Sequence, residues 1–122
     1  MNIRSVCVFC GAGSGVGSTY AKSAREFARA LVANRIELVY GGASVGLMGM
    51  LADTVLAAGG RCIGVIPQSL VDKEVAHAGL TRLEITRTLS ERKTRMMELS
   101  DAFVAFHRGT DATGRARAAS SN

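Results

Sequence analysis

Apolar positions along the chain fall into short dense runs that alternate with longer, periodically spaced ones. The first dense run, Ile3 to Phe9, predicts a strand, and the glycine-rich stretch Gly11-Ala12-Gly13-Ser14-Gly15-Val16-Gly17 ends it. Ser18 then offers a helix N-cap. From there Tyr20, Ala24, Phe27, Ala28, Leu31 and Val32 recur at helical spacing, with Lys22, Arg25, Glu26 and Arg29 between them. Ile36 to Tyr40 predicts a second strand, stopped by Gly41-Gly42. Gly46 to Ala58 is apolar nearly all round, which predicts a buried helix, and Gly59-Gly60 stops it. A third strand, Cys62 to Ile66, closes at Pro67, and residues 68–81 show no period and read as a loop. Leu83 to Thr86 predicts a fourth strand. Leu89 to Leu99 predicts a charged helix with Glu91 and Arg95 at the supportive i,i+4 spacing, and Ala102 to Phe106 a fifth strand. Strands that alternate with helices and are apolar on both faces predict a parallel sheet covered on both sides. The expected fold is α/β, doubly wound and Rossmann-like.

Composition agrees with one small globular domain. The 122 residues are 48% hydrophobic, too apolar for a disordered chain, and the 14 Gly with a single Pro follow no collagen period. No run of 18 uncharged apolar residues occurs and the first apolar run is too short for a signal segment, so the expectation is a cytoplasmic protein without a membrane span. The formal net charge of +5 is divided unevenly. Residues 107–122 hold three Arg, one Asp and nothing apolar larger than Ala, leaving 12 basic and 9 acidic groups before them, a net charge of +3. No basic stripe with interleaved aromatics accompanies that charge, so nucleic acid is not an expected partner. Cys7 and Cys10 form a CxxC, but on a strand positions three apart face opposite ways and cannot chelate one ion. With only Cys62 besides, the three read as reduced, buried or semi-buried thiols, and no metal is expected.

In such sheets ligands bind beyond the carboxyl ends of the strands, where two glycine-rich turns lie. The first does not match GxGxxG in register, and the second strand ends in Tyr40-Gly41-Gly42 without an acid for a ribose 2′-hydroxyl. Both points count against an NAD-dependent oxidoreductase. The second turn, Gly41-Gly42-Ala43-Ser44-Val45-Gly46, runs straight into a helix, whose backbone N–H groups and dipole suit a phosphate or a ribose. Arg92 and Lys93 sit near the start of the charged helix, where they oppose its dipole at a cost of a few tenths of a kcal/mol unless an anion lies between them. Glu74, in the irregular loop, is expected to face the same edge. His77 and His107 read as loop residues rather than ligands.

These segments together carry a resemblance. Val6-Cys7-Val8-Phe9-Cys10-Gly11, Leu38-Val39-Tyr40-Gly41-Gly42, Ser44-Val45-Gly46-Leu47-Met48-Gly49 and Gly64-Val65-Ile66-Pro67 occur in order. Glu91-Arg92-Lys93, Met96 and Ser100-Asp101-Ala102-Phe103 follow them. The chain resembles, over residues 3–105, the Lonely Guy (LOG) family of cytokinin riboside 5′-monophosphate phosphoribohydrolases, long labelled lysine decarboxylases. Ala43 departs locally, where the family usually carries a third Gly. The resemblance implies hydrolysis of the N-glycosidic bond of a cytokinin riboside 5′-monophosphate or of AMP, giving free base and ribose 5-phosphate without a cofactor. It implies Arg92 as the catalytic arginine and Glu74 and Lys93 as substrate contacts. Gly11, Gly41, Gly42 and Gly46 would line the pocket, and the expected assembly is a homodimer or higher homo-oligomer. A non-catalytic nucleotide-binding module is the alternative.

The resemblance breaks after the fifth strand. The family continues Leu-Pro-Gly-Gly-x-Gly-Thr-x-x-Glu, supplying phosphate-binding backbone and the catalytic Glu. Here Phe106-His107-Arg108-Gly109-Thr110-Asp111-Ala112-Thr113-Gly114 follows, with Gly109 alone in register and no Glu after Glu98. Reading a back-translation of Ala105 to Asp111 from the third base of the Ala105 codon permits Leu-Pro-Pro-Gly-His-Gly, close to the family motif. The expectation is a Rossmann-like nucleotide-binding domain over 1–106, lacking the fold's C-terminal elements. Residues 107–122 would be a disordered or out-of-frame tail, with faces of the domain left uncovered.

Overall fold

A computed structural model describes residues 2–10, 18–106 and 117–119. The strands are β1 (Ser5–Cys10), β2 (Glu37–Tyr40), β3 (Cys62–Pro67), β4 (Arg82–Thr86), β5 (Ala102–Phe106) and β6 (Arg117–Ala119); the helices are α1 (Ser18–Ala33), α2 (Gly46–Ala57) and α3 (Leu89–Leu99). They form one sheet in the order β4-β3-β2-β1-β5-β6. β1 to β5 pair in parallel, with Val6 opposite Ala102 on one side of β1 and opposite Leu38 on the other. The chain winds outward from β1 to β4 and then returns through α3 to β5, so the order reverses beside β1. Right-handed crossovers accordingly place α1 and α2 on one face and α3 on the other. The doubly wound parallel sheet expected from the sequence is present.

The core lies between the sheet and the first two helices. Val6, Val8, Leu38, Tyr40 and Cys62 pack against Ala24, Ala28 and Leu31 of α1 and Leu47, Leu51, Ala52 and Val55 of α2. The other face is different. No residue of α3 is fully buried, because its inner side carries Arg92 and Arg95 where α1 carries Ala and Leu. Leu89 and Met97 of this helix are 63% and 50% exposed, and Phe9, on the α3 side of β1, is 45% exposed.

Several local expectations are corrected. Residues 68–81 are not a featureless loop, since Gln68–Leu70 form a 3-10 turn and Glu74 N–H closes a further turn on Leu70 O at 2.8 Å. Arg117–Ala119 pair antiparallel with β5 along its outer edge. Glu91 and Arg95 do not pair despite their spacing. Glu91 turns back to Arg87, while Arg95 reaches Glu84 of β4, a partner invisible to any pattern within the helix.

Two helices end in the same hydrogen-bond motif on different residues. After α2, Gly59 N–H donates to Leu56 O and Gly60 N–H to Val55 O, with Gly59 at φ +87°. After α1, Arg35 N–H donates to Val32 O and Ile36 N–H to Leu31 O, and Arg35 holds φ +58°. The left-handed position that suits glycine is taken there by arginine. Arg35→Gly is expected to raise stability by about 0.5–1 kcal/mol, the left-handed penalty of an L-residue less glycine's entropic cost. Urea denaturation of the two chains checks it.

Candidate functional site

The carboxyl ends of β2 and β3 receive a single side chain from α3. Thr88 caps that helix, its Oγ1 accepting from Glu91 N–H at 3.0 Å, and Glu91 Oε2 accepts from Arg87 N–H at 3.1 Å. This variant of the capping box fixes the first turn and places an acid at the positive end of the helix dipole. Arg92, one residue on, points to the sheet. Its Nε–H donates to Val65 O at 2.9 Å, and Nη2 donates to Gly41 O at 2.7 Å and to Glu74 Oε1 at 2.8 Å. The guanidinium is thus held by two strands and a loop, with its side chain 17% exposed and that of Glu74 33% exposed. Nη1 makes no hydrogen bond among the described residues, so one edge of the fork remains for an anionic or hydroxyl ligand.

Glycine is required where this edge closes. A Cβ on Gly41 would collide with Arg92 Nη2, so the carbonyl and the guanidinium meet only because residue 41 has no side chain. Gly42 turns at φ +86° against Gly64 of β3, bringing two backbones together. Tyr40, fully buried, donates its hydroxyl proton to Ala43 O at 2.6 Å and fixes the turn from below. Gly46 opens α2 at φ +71° with open space around it. Val45, the residue preceding it, supplies no side-chain cap, which leaves the first N–H groups of α2 without one.

The structure therefore brings Gly41, Glu74 and Arg92 together, with Gly42 and Gly46 on the adjoining turn. Lys93 is exposed on α3, outside the cluster, and has no hydrogen-bond or ion-pair partner among the described residues. Gly11 and Gly109 lie outside the described residues, as does most of the tail. Sequence reasoning missed the part of Val65, which acts through its carbonyl and gives no side-chain signal. It also missed Asp101, whose Oδ2 accepts from Arg4 N–H at 2.8 Å and Ser5 N–H at 3.2 Å, joining the start of β5 to that of β1.

The model of the family described as "Possible lysine decarboxylase" matches residues 48–111. The cytokinin riboside 5′-monophosphate phosphoribohydrolase of Rhodococcoides fascians is 48% identical over 107 residues, covering 87% of this chain and 54% of that protein. The chain belongs to the LOG family. Another LOG relative, cytokinin riboside 5′-monophosphate phosphoribohydrolase LOG5 of Arabidopsis thaliana, is 42% identical over 106 residues, covering 87% of this chain and 46% of its own length. The chain spans about half the length of the curated LOG proteins it matches. Among solved structures, the molybdenum cofactor carrier protein of Chlamydomonas reinhardtii has a TM-score of 0.71 at 21% identity, covering 89% of this chain and 65% of that one. The molybdenum cofactor binding protein of Rippkaea orientalis has a TM-score of 0.68 at 20% identity, with 89% and 65% covered. Both likenesses are of the fold alone.

Burial raises the Cys7 thiol to about 11 and the Cys62 thiol to about 12, so both stay protonated and unreactive near neutrality. Among the described residues no group of His, Cys, Asp and Glu could hold a metal. Behind the site, hydrogen bonds from Arg95 at 2.6 and 3.1 Å, with Arg82 as a further cation, hold the Glu84 carboxyl below its usual range. A depressed carboxylate stabilises the fold above its unfolded value of 4.5, and that contribution disappears as pH falls through the folded value. Glu84→Gln is expected to cost about 0.5–1 kcal/mol at pH 7, since the pair is partly solvated. In urea melts the gap between the two chains narrows as pH falls below 4.5 and closes once the folded-state carboxyl is protonated.

Proposed function

We propose that the cleft at the ends of β2 and β3 binds a nucleoside 5′-monophosphate, either AMP or its N6-substituted cytokinin form. The observation that carries the reading is the Arg92 guanidinium, fixed by Gly41 O, Val65 O and Glu74 with one edge left over. The uncapped start of α2 at Gly46 adds backbone donors and a positive dipole end on the adjoining turn. Relatives named cytokinin riboside 5′-monophosphate phosphoribohydrolase supply the substrate class.

The reaction of that class is hydrolysis of the N-glycosidic bond, which builds oxocarbenium-like charge on the ribose. A carboxylate beside the sugar stabilises that charge and activates water. Glu74 is committed to Arg92, and the segment 106–114 lacks the family's Pro-Gly-Gly-x-Gly-Thr-x-x-Glu. A missing acid or base costs about 10²–10⁴-fold in rate. The chain therefore binds the nucleotide and turns it over slowly, as a cytoplasmic homo-oligomer with no cofactor.

Incubation with AMP and with isopentenyladenosine monophosphate, followed by chromatography of released base, tests this. Saturable AMP binding with base release near that of Arg92→Ala is expected. Rapid Arg92-dependent release would overturn the impairment, and absence of binding would overturn the nucleotide reading.

A further inference from the structure

The loop that presents Glu74 is strapped to α2 by contacts that the nucleotide reading does not use. Residues 75–77 run antiparallel to 42–44, with Ala76 opposite Ala43. Ser44 N–H donates to Val75 O and His77 N–H to Gly42 O, each at 2.8 Å. Val75 sits at φ +50°, a region a β-branched residue rarely occupies, so contacts outside Val75 impose its conformation.

His77 supplies the fastening. The ring is only 12% exposed and both nitrogens are engaged. Gly79 N–H donates to Nδ1 at 2.9 Å, and Nε2 lies 2.6 Å from Oδ1 of Asp53 on α2. An Nδ1 that accepts leaves the ring proton on Nε2, which therefore donates to a carboxylate, a charge-assisted bond. The Asp53 side chain is 63% exposed, so it does little for the core. Its alignment with the buried ring is what ties the strap to the helix that begins at Gly46.

We infer that His77 and Asp53 are positioning residues, whose hydrogen bond holds the strap 75–77 on α2 and thereby keeps Glu74 against Arg92. Neither is bonded to Arg92 or Glu74 among the described residues; both act through the backbone between His77 and Glu74. The inference deepens the nucleotide reading, and rests on it only where binding is measured.

The test uses the full chain and Asp53→Ala, Asp53→Asn, Glu74→Ala and the Asp53→Ala/Glu74→Ala double variant. Without nucleotide, the ¹⁵N-detected guanidinium signal of Arg92 should move in Asp53→Ala toward its position in Glu74→Ala. Asp53→Asn, which keeps an Oδ1 acceptor, should restore it. With AMP as probe, Asp53→Ala should weaken binding about 10-fold and Asp53→Asn less than about 3-fold. In the Glu74→Ala background, Asp53→Ala should add less than about 2-fold, since its effect passes through Glu74. An Arg92 signal unmoved by Asp53→Ala, or equal losses in both backgrounds, overturns the proposal. If AMP does not bind the unaltered chain, the nucleotide reading falls and the Arg92 signal alone decides the strap.

Discussion

Arg92→Ala is expected to lower the melting temperature by about 8–15 °C and to abolish AMP binding together. The substitution removes three hydrogen bonds at once, taking a donor from each of the Val65 and Gly41 carbonyls and from the Glu74 carboxylate. Partly buried acceptors stripped of their donor cost about 1–3 kcal/mol each, less wherever water enters. A total of about 2–4 kcal/mol corresponds to that shift for a chain of this size. Lysine does not rescue it. Its single ammonium cannot reach two strand carbonyls and a carboxylate in the fork geometry of a guanidinium. Calorimetric melting of wild type, Arg92→Ala and Arg92→Lys checks the ranking, with lysine closer to alanine than to arginine.

Gly41→Ala separates function from stability. The new Cβ would occupy the place of Arg92 Nη2, and the guanidinium end must swing away. The bonds to Gly41 O and Glu74 break, while the core below Tyr40 is untouched. AMP affinity should fall by at least about 10-fold, the value of one charge-assisted contact. Melting should drop by no more than about 5 °C, because the displaced group is the end of a flexible side chain. A variant that binds AMP normally would mean that the Arg92–Gly41 contact does not shape the site.

Much of this was legible in the chain itself. Dense apolar runs at Ile3–Phe9, Ile36–Tyr40 and Cys62–Ile66 predict strands of a sheet covered on both sides, and all three became inner strands of the parallel sheet. Glycine pairs marked where the chain turns at the sheet edge, and Gly41 and Gly42 do so for steric reasons the structure makes explicit. Family motifs pointed to Arg92 and Glu74, 18 positions apart in sequence and 2.8 Å apart in space.

What sequence could not show was carried by backbone or by distant partners. Val65 contributes a carbonyl, which every residue possesses. Arg95 ignored the acid four positions before it because Glu84, 11 residues earlier, lies across the helix–sheet interface. The strap at 75–77 has no hydrophobic period to reveal it, and Val75 adopts a backbone conformation its side chain disfavours. His77 looked like an ordinary loop residue because its partner, Asp53, is 24 residues away on a helix.

The most direct measurement is an AMP titration followed through backbone amide resonances of the ¹⁵N-labelled chain. The Arg92-centred site predicts saturable shifts concentrated at Gly41, Gly42, Gly46, Glu74 and the first turn of α3, with ribose 5-phosphate competing for the same signals. Shifts that map elsewhere on the fold, or resonances that do not move at millimolar AMP, would contradict it.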